Sequence, residues 1–202
     1  MTGLRLLAFS DLHRDVAVAR AIVDAARNVD VVVGAGDFAT RGEGASDTLA
    51  VLRNLHCPLV LVHGNHDDPD ELRRLTADWT DADLLHGMGV EIGDTTFFGL
   101  GGEVPMRNDA VWNAGMSEDE ATALLRDCPE GCVLVTHNPP LGHCDVQRDG
   151  SHEGSEAILE CVRRTRPSHV LCGHIHHAWG MRSTLGRSAV ANIGPRPIVV
   201  KV

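Results

Sequence analysis

Seven side chains with oxygen or nitrogen donors stand directly after five short apolar runs of this chain. They are Asp11, His13, Asp37, Asn65, His137, His174 and His176. In open α/β sheets the reactive crevice lies outside the carboxyl ends of the strands, so such residues converge although they are far apart in sequence. The set contains no thiolate and is large enough for two divalent metal ions bridged by one carboxylate, the arrangement used for in-line displacement at phosphorus.

Two of these strand ends carry donor pairs separated by one residue, Asp11 with His13 and His174 with His176. In an extended segment, residues i and i+2 point to the same side. We therefore expect each pair to face one centre.

Residues 64–67 form a short loop that reads Gly-Asn-His-Asp and follows a buried apolar run. Its glycine allows the backbone to turn sharply off the strand. The loop adds His66 and Asp67 to the donor Asn65, and both are candidate catalytic residues. The nearby His56 and His63 are predicted to be structural, because neither falls within a strand-end motif.

The elements that must position these donors follow an α/β pattern. Strands are predicted over residues 4–10, 29–35, 59–62, 133–136 and 170–172, and helices over 15–28, from Ser46, from Pro69, from Ser117 to about Asp127, and over 156–165. The first βαβ unit, with its right-handed crossover, places Asp11 and Asp37 at the same sheet edge. Residues 90–99 predict a hairpin, and residues 178–202 a meander of short strands.

In this order, the motifs Asp11-x-His13, Gly36-Asp37, Gly64-Asn65-His66-Asp67, His137 and Gly173-His174-x-His176 resemble those of the calcineurin-like metallophosphoesterase superfamily, in its small single-domain prokaryotic form. The resemblance spans nearly the whole chain. It implies that one metal ion is held by Asp11, His13 and His176. It implies that the other is held by Asn65, His137 and His174. Asp37 would bridge the two ions, and His66 would be the general acid.

The same resemblance implies a four-layer α/β/β/α sandwich of two packed mixed β-sheets flanked by helices. The hairpin and the meander would then belong to the second sheet. The donor set favours Mn²⁺ or Fe²⁺, and Zn²⁺, Ni²⁺ or Co²⁺ can substitute.

The expected reaction is hydrolysis of a phosphate ester. A water bridging both metals loses its proton near neutral pH and attacks phosphorus in line, while a protonated His66 donates to the leaving oxygen and Asp67 favours the imidazolium. A phosphodiester is favoured over a monoester at the level of the family. Phosphomonoesterase and nuclease remain alternatives, and a non-catalytic scaffold with a degraded metal site is the rival that the intact donors argue against.

Three residues outside the metal set are candidates for substrate binding. Arg41 offers a fork-shaped donor to a phosphate oxygen, although a solvated loop arginine is an equal interpretation. Arg148 and His152 lie in a loop that resembles the rim of related sites. The alternative for that loop is that Ser155 caps the helix that follows.

The composition fits one domain over residues 1–202 and a small phosphate-ester substrate. A formal net charge of −10 argues against a broad grip on duplex nucleic acid. Six cysteines without a paired framework fit reduced thiols. No run reaches the ~18 apolar residues of a membrane span, so a cytoplasmic location is expected and no membrane partner. The sequence does not decide between a monomer and a homo-oligomer.

Overall fold

Two β-sheets stack face to face at the centre of the structure, a computed structural model that describes residues 3–202. The strands are β1 (Arg5–Phe9), β2 (Val31–Ala35), β3 (Leu59–Val62), β4 (Ala82–Leu84), β5 (Met88–Ile92), β6 (Thr95–Leu100), β7 (Val133–Thr136), β8 (His169–Cys172), β9 (Arg182–Leu185), β10 (Ser188–Asn192) and β11 (Ile198–Lys201). The first sheet has the order β11-β1-β2-β3-β4, and the second has the order β5-β6-β7-β8-β10-β9. Both sheets are mixed, because parallel central strands meet antiparallel partners at the edges.

Helices cover the outer face of each sheet. They are α1 (Val16–Ala25), α2 (Ala45–Leu52), α3 (Pro69–Thr76), α4 (Glu118–Leu124) and α5 (Glu156–Thr165). One apolar core joins the first sheet to α1, α2 and α3, another joins the second sheet to α4 and α5, and a third lies between the sheets. Strands β2 and β3 are buried along their whole length, as expected for parallel strands covered on both sides. The predicted four-layer α/β/β/α fold is confirmed.

Local signals in the sequence account for most helix starts. The side chain of Asp15 accepts hydrogen bonds at the start of α1, and Ser117 and Glu120 form the predicted capping box of α4. Helix α2 differs from the prediction. It starts at Ala45, after Gly44 in the left-handed conformation and without a side-chain cap.

The last strand corrects the predicted meander. Strands β9 and β10 join the second sheet, but β11 crosses over and pairs antiparallel with β1, with Leu7 opposite Val199. The crossing is fixed at Gly194, whose amide donates to Ser10 Oγ while its carbonyl accepts from the Ser10 amide. The short β4, which pairs in parallel with β3, was not predicted.

Among the helices that the structure describes, every one is too short or too polar to traverse a lipid bilayer.

Candidate active site

The carboxyl ends of β1, β2, β3, β7 and β8 bring the seven predicted donors together. A cavity of about 320 Å³ opens over them. The donors fall into two groups, with Asp37 between them.

The first group consists of Asp11, His13 and His176, whose donor atoms lie within 4.8 Å of one another. The Nε2 atoms of the two histidines are 3.2 Å apart, and His176 Nε2 is 3.8 Å from Asp11 Oδ1. Asp11 is 2% exposed, whereas His176 is open to the cavity. This is one carboxylate and two imidazoles facing a common point.

The second group consists of Asn65, His137 and His174. Asn65 Oδ1 lies 3.1 Å from His137 Nε2 and 3.1 Å from His174 Nδ1. The orientation of Asn65 is fixed because its Nδ2 donates to Asn113 Oδ1 at 2.9 Å. The carboxamide oxygen therefore faces the two rings.

The protons of these two rings are engaged elsewhere. His137 Nδ1 lies 2.8 Å from the carbonyl oxygen of Ala35, so it must donate, and the neutral ring presents a lone pair at Nε2. Burial, and next the charge of His174, holds the pKa of His137 well below its ordinary value. His174 Nε2 lies 3.5 Å from Glu103 Oε1, which leaves Nδ1 as an acceptor. Three acceptor atoms thus meet with no proton between them, and a divalent cation is the partner that such a set fits.

Asp37 faces both groups. Its Oδ2 is 3.5 Å from His13 Nε2 and its Oδ1 is 3.5 Å from His137 Nε2. Burial raises the pKa of Asp37 well above its ordinary value, and the carboxylates of Asp67 and Asp11 raise it further. A buried carboxylate in that position is stabilised by cations on either side, as a bridging ligand would be.

The backbone at the donors is not extended, which corrects the reasoning for the donor pairs. Asp11, His13, Asp37 and His174 have φ values of 56°, 44°, 59° and 66°, in the left-handed region. For residues other than glycine this conformation costs on the order of 1–3 kcal/mol each and is concentrated at functional sites. Hydrogen bonds hold it in place, since the amides of Asp11 and His13 donate to the carbonyls of Gly36 and Asp37. Asp11 and His13 converge through tight turns and not through strand alternation, whereas His174 and His176 fall in different groups.

Two glycines allow the loops to approach this closely. A Cβ atom on Gly64 would lie 2.0 Å from Asp37 Oδ1, and one on Gly173 would lie 2.6 Å from Asp11 Oδ2. Both positions therefore exclude any side chain.

Trp179 holds the first group from outside. Its indole Nε1 donates to Asp11 Oδ2 at 3.0 Å, and its ring packs on His176 with centroids 4.2 Å apart. Ser10 Oγ donates to the same oxygen at 2.6 Å. The other oxygen, Asp11 Oδ1, accepts from the His174 amide at 3.1 Å and lies 3.8 Å from His176 Nε2. Sequence reasoning missed Trp179, because nothing in its local pattern marks it.

Glu103 holds the second group from outside and was also missed. Burial opposes its ionisation, but hydrogen bonds from His174, from Asn113 and from the Arg107 amide outweigh it and lower the pKa of Glu103 to about 2. Asn113 Nδ2 donates to Glu103 Oε2 at 2.8 Å while accepting from Asn65. The signal available in the sequence was a carboxylate immediately beyond the glycine-rich end of β6.

His66 lies beside the donors, with a ring nitrogen within 4.8 Å of donor atoms of His13 and Asp37. Its Nδ1 accepts from the Arg41 amide at 3.0 Å, so the proton of the neutral ring is on Nε2. The indole of Trp112 stacks on the His66 ring, with the two ring centroids 4.6 Å apart and an interplanar angle of 29°. Burial, and next the charge of His13, lowers the pKa of His66 to about 4.

Asp67 does not support an imidazolium at His66, which corrects that prediction. Its buried carboxylate accepts from the amides of Asp37 at 2.9 Å, Ala39 at 2.8 Å and Gly64 at 2.7 Å. These bonds tie the loop after β2 to the loop after β3. Asp67 therefore organises the backbone, and the neighbouring histidine is held by Arg41 instead.

The three predicted substrate contacts lie apart from one another. The Arg41 guanidinium lies 5.8 Å from the centroid of Trp112. Arg148 is exposed and lines a separate surface depression. His152 Nδ1 is 2.6 Å from the buried carboxylate of Asp145. Ser155 Oγ accepts from the Ile158 amide and caps α5, so the capping alternative describes Ser155.

Comparisons with known proteins agree with this geometry. Residues 4–178 match the family model described as calcineurin-like phosphoesterase. The chain is 30% identical over 197 residues to the UPF0046 protein K07C11.7 of Caenorhabditis elegans, covering 84% of this chain and 67% of that protein. It is 28% identical over 165 residues to the cAMP/cGMP dual specificity phosphodiesterase MT0825 of Mycobacterium tuberculosis (strain CDC 1551 / Oshkosh), covering 74% of this chain and 49% of that protein. The chain thus spans about two thirds of the first relative and about half of the second.

Solved structures share the fold. The crystal structure of TT1561 of Thermus thermophilus matches with a TM-score of 0.78 over 99% of both chains, at 17% sequence identity. The two mixed sheets and their flanking helices are therefore an arrangement already seen by experiment.

Proposed function

Because the chain belongs to the calcineurin-like phosphoesterase family, we propose that it hydrolyses a phosphodiester at a centre of two divalent cations. The supporting observation is the pair of donor groups that face each other across Asp37. Mn²⁺ or Fe²⁺ suits the mixed oxygen and imidazole donors best, with Zn²⁺, Ni²⁺ or Co²⁺ as substitutes. Such ions, when bound, lower the pKa of water and offset the charge that develops on phosphoryl oxygens.

A diester is preferred to a monoester because of the walls of the donor cavity. Those walls are formed by Asp37, Asn65, His66, Gln147, His174, His176 and His177. Within residues 3–202 they include no arginine or lysine, which a dianionic monoester would use as additional partners. The relative from Mycobacterium tuberculosis is itself named a phosphodiesterase. We propose a small diester as the substrate class.

His66 is placed to serve the leaving oxygen. The Arg41 amide occupies Nδ1, so the Nε2 proton is the one that the ring offers to the substrate. The stack on Trp112 holds the plane of the ring. A neutral imidazole is too weak an acid to transfer this proton, so we propose that its Nε2 donates a hydrogen bond to the negative charge that develops on the leaving oxygen.

The first test compares bis(p-nitrophenyl) phosphate with p-nitrophenyl phosphate on protein loaded with Mn²⁺. We expect a higher kcat/KM for the diester. A higher kcat/KM for the monoester would indicate a phosphomonoesterase. If the protein hydrolyses neither compound, the proposal is contradicted.

The second test replaces His66 by alanine. We expect kcat for alkyl phosphodiesters to fall by about 10²–10³-fold, the usual cost of removing one hydrogen-bond donor to a developing oxyanion, and kcat for nitrophenyl esters to fall much less. Equal losses on both would remove His66 from this role.

A further inference from the structure

A second cavity, of about 1010 Å³, lies beside the donor cavity on the side of His66. Trp112 lines it and stacks on His66, and Asn113 lines it and accepts a hydrogen bond from Asn65. The two cavities therefore share a wall. The volume of the second cavity is at the upper end of the range of about 300–1,000 Å³ for small-molecule sites.

Much of this wall is apolar. Val111, Trp112, Met116 and Leu124 line the cavity, and Val111 is fully exposed to solvent. A ligand that covers Val111 would remove its apolar surface from water, which stabilises the complex. The wall therefore favours a ligand with a flat apolar surface.

Carboxylates outnumber guanidinium groups around the cavity. Arg41 and Arg73 line it together with Glu43, Asp67, Asp68 and Glu120. A second phosphate or carboxylate would meet more negative than positive side chains there. The cavity therefore disfavours an anionic group, and an uncharged group avoids this repulsion.

Two imidazoles at the cavity present a matched donor and acceptor. The rings of His63 and His86 have centroids 4.9 Å apart. His63 Nδ1 must donate to the carbonyl oxygen of Gly64 at 3.1 Å, so in the neutral ring its Nε2 is an acceptor. His86 Nδ1 accepts from the Gly101 amide at 3.3 Å, so its Nε2 carries the proton and is a donor.

Neither Nε2 atom has a hydrogen-bond partner within residues 3–202. His63 is 5% exposed, and its Nε2 is not among the described polar atoms that are sealed from solvent without a partner. The Nε2 atom is therefore open to the cavity, where a ligand can replace water as its hydrogen-bond donor.

We propose that this cavity, the leaving-group pocket, binds the base of a nucleoside that leaves through His66. A nucleobase is flat and uncharged, and it carries a hydrogen-bond donor next to an acceptor. It would meet the donor of His86 and the acceptor of His63, and it would lie against the apolar wall at Trp112. The proposal rests on the proposed function, because the leaving side of the substrate lies next to this cavity if His66 acts on the leaving oxygen.

The test measures binding of adenosine and uridine to the Mn²⁺-loaded protein by calorimetry, with 1-phenyl riboside, in which phenyl replaces the base, as a compound that keeps the sugar and lacks the base's donor and acceptor. We expect both nucleosides to bind and 1-phenyl riboside to bind at least about tenfold more weakly. His86→Leu should weaken nucleoside binding about five- to tenfold, the value of one hydrogen bond. Leu124→Trp should abolish it by filling the pocket.

Thr122→Trp is the matched control, because Thr122 is exposed on the same helix and does not line the pocket. It should bind nucleosides like the original protein. Thermal unfolding and Mn²⁺ content, measured on every variant, identify a variant that fails to fold. Leu124→Trp and His86→Leu proteins that fold and still bind nucleosides at full strength would overturn the proposal, as would equal binding of 1-phenyl riboside.

The two proposals fail separately. Hydrolysis of bis(p-nitrophenyl) phosphate without nucleoside binding would overturn the pocket and leave the phosphodiesterase standing. Nucleoside binding that is lost in Leu124→Trp, in a protein that hydrolyses no phosphate ester, would support the pocket and contradict the phosphodiesterase.

Discussion

Trp179→Phe should weaken metal binding at the first donor group and leave the second group unchanged. Phenylalanine keeps an aromatic ring against His176, where the indole packs at 4.2 Å, but it removes the Nε1 donor that lies 3.0 Å from Asp11 Oδ2. Ser10 Oγ still donates to that oxygen. Asp11 is therefore not released, but it loses one of the two side-chain donors that orient it.

The size of the effect follows from the lost bond. A hydrogen bond to a charged group contributes about 1.5–3 kcal/mol, and loss of an outer partner of a metal ligand costs about 10–100-fold in metal affinity. We expect the lower end, about tenfold, because Ser10 remains in place. Asp11 is 2% exposed, so water cannot readily replace the indole.

The assay is titration of the metal-free protein with Mn²⁺, followed by calorimetry that resolves two classes of site. Trp79→Phe is the control, since Trp79 packs in the core under α1, α2 and α3 and contacts Arg53. It should change neither affinity. If Trp179→Phe leaves both affinities unchanged, or weakens both equally, the assignment of Trp179 to the first group is wrong.

Three further predictions concern residues around the centre. Asp67→Asn should lower the free energy of unfolding by about 3 kcal/mol, because a buried carboxylate that accepts three amides loses acceptor capacity. Urea unfolding measures this change. In the control Asp68→Asn, which alters an exposed helix cap, the free energy of unfolding should stay within about 0.5 kcal/mol of the original value. Glu103→Gln should weaken the second metal about tenfold in calorimetry, since the charge facing His174 is lost, and an unchanged second affinity would contradict it. Burial, and next the charge of Arg73, lowers the pKa of His86 in the folded protein below its ordinary value of 6.5. As the pH falls, His86 is therefore protonated in the unfolded chain before it is protonated in the folded one, and the free energy of unfolding decreases below about pH 6.5. Urea unfolding at about pH 7 and pH 5 should show a smaller loss for His86→Gln than for the original protein, and an equal loss would count against this.

Positions that depend on strand ends could be predicted from the sequence. An apolar run of four or five residues followed by a polar residue marks a buried strand and its carboxyl end, and the fold brings five such ends together. The donors Asp37, Asn65 and His137 needed only this rule. A spacing of two residues did not place the donor pairs. Asp11 and His13 meet through left-handed turns that no spacing rule reveals, and His174 and His176 fall in different groups.

What could not be predicted depends on contacts between distant segments. The carboxylate of Asp67 adjoins His66 in sequence, but it accepts hydrogen bonds from three backbone amides. Glu103 and Trp179 each contact a predicted metal ligand that is more than 70 residues away in the chain. β11 pairs with β1 in the first sheet, and two hydrogen bonds between Gly194 and Ser10 hold the chain where it crosses. Such outcomes are decided by tertiary packing, which overrides local pattern.

The most direct test of the two-metal centre is the metal content of protein reconstituted with Mn²⁺, measured by mass spectrometry beside the Asp37→Asn variant. Asp37 faces both donor groups. We expect two ions per chain in the original protein and at most one in the variant, with loss of diester hydrolysis in the same samples. Fewer than one ion per chain in the original protein, or two in Asp37→Asn, would contradict it.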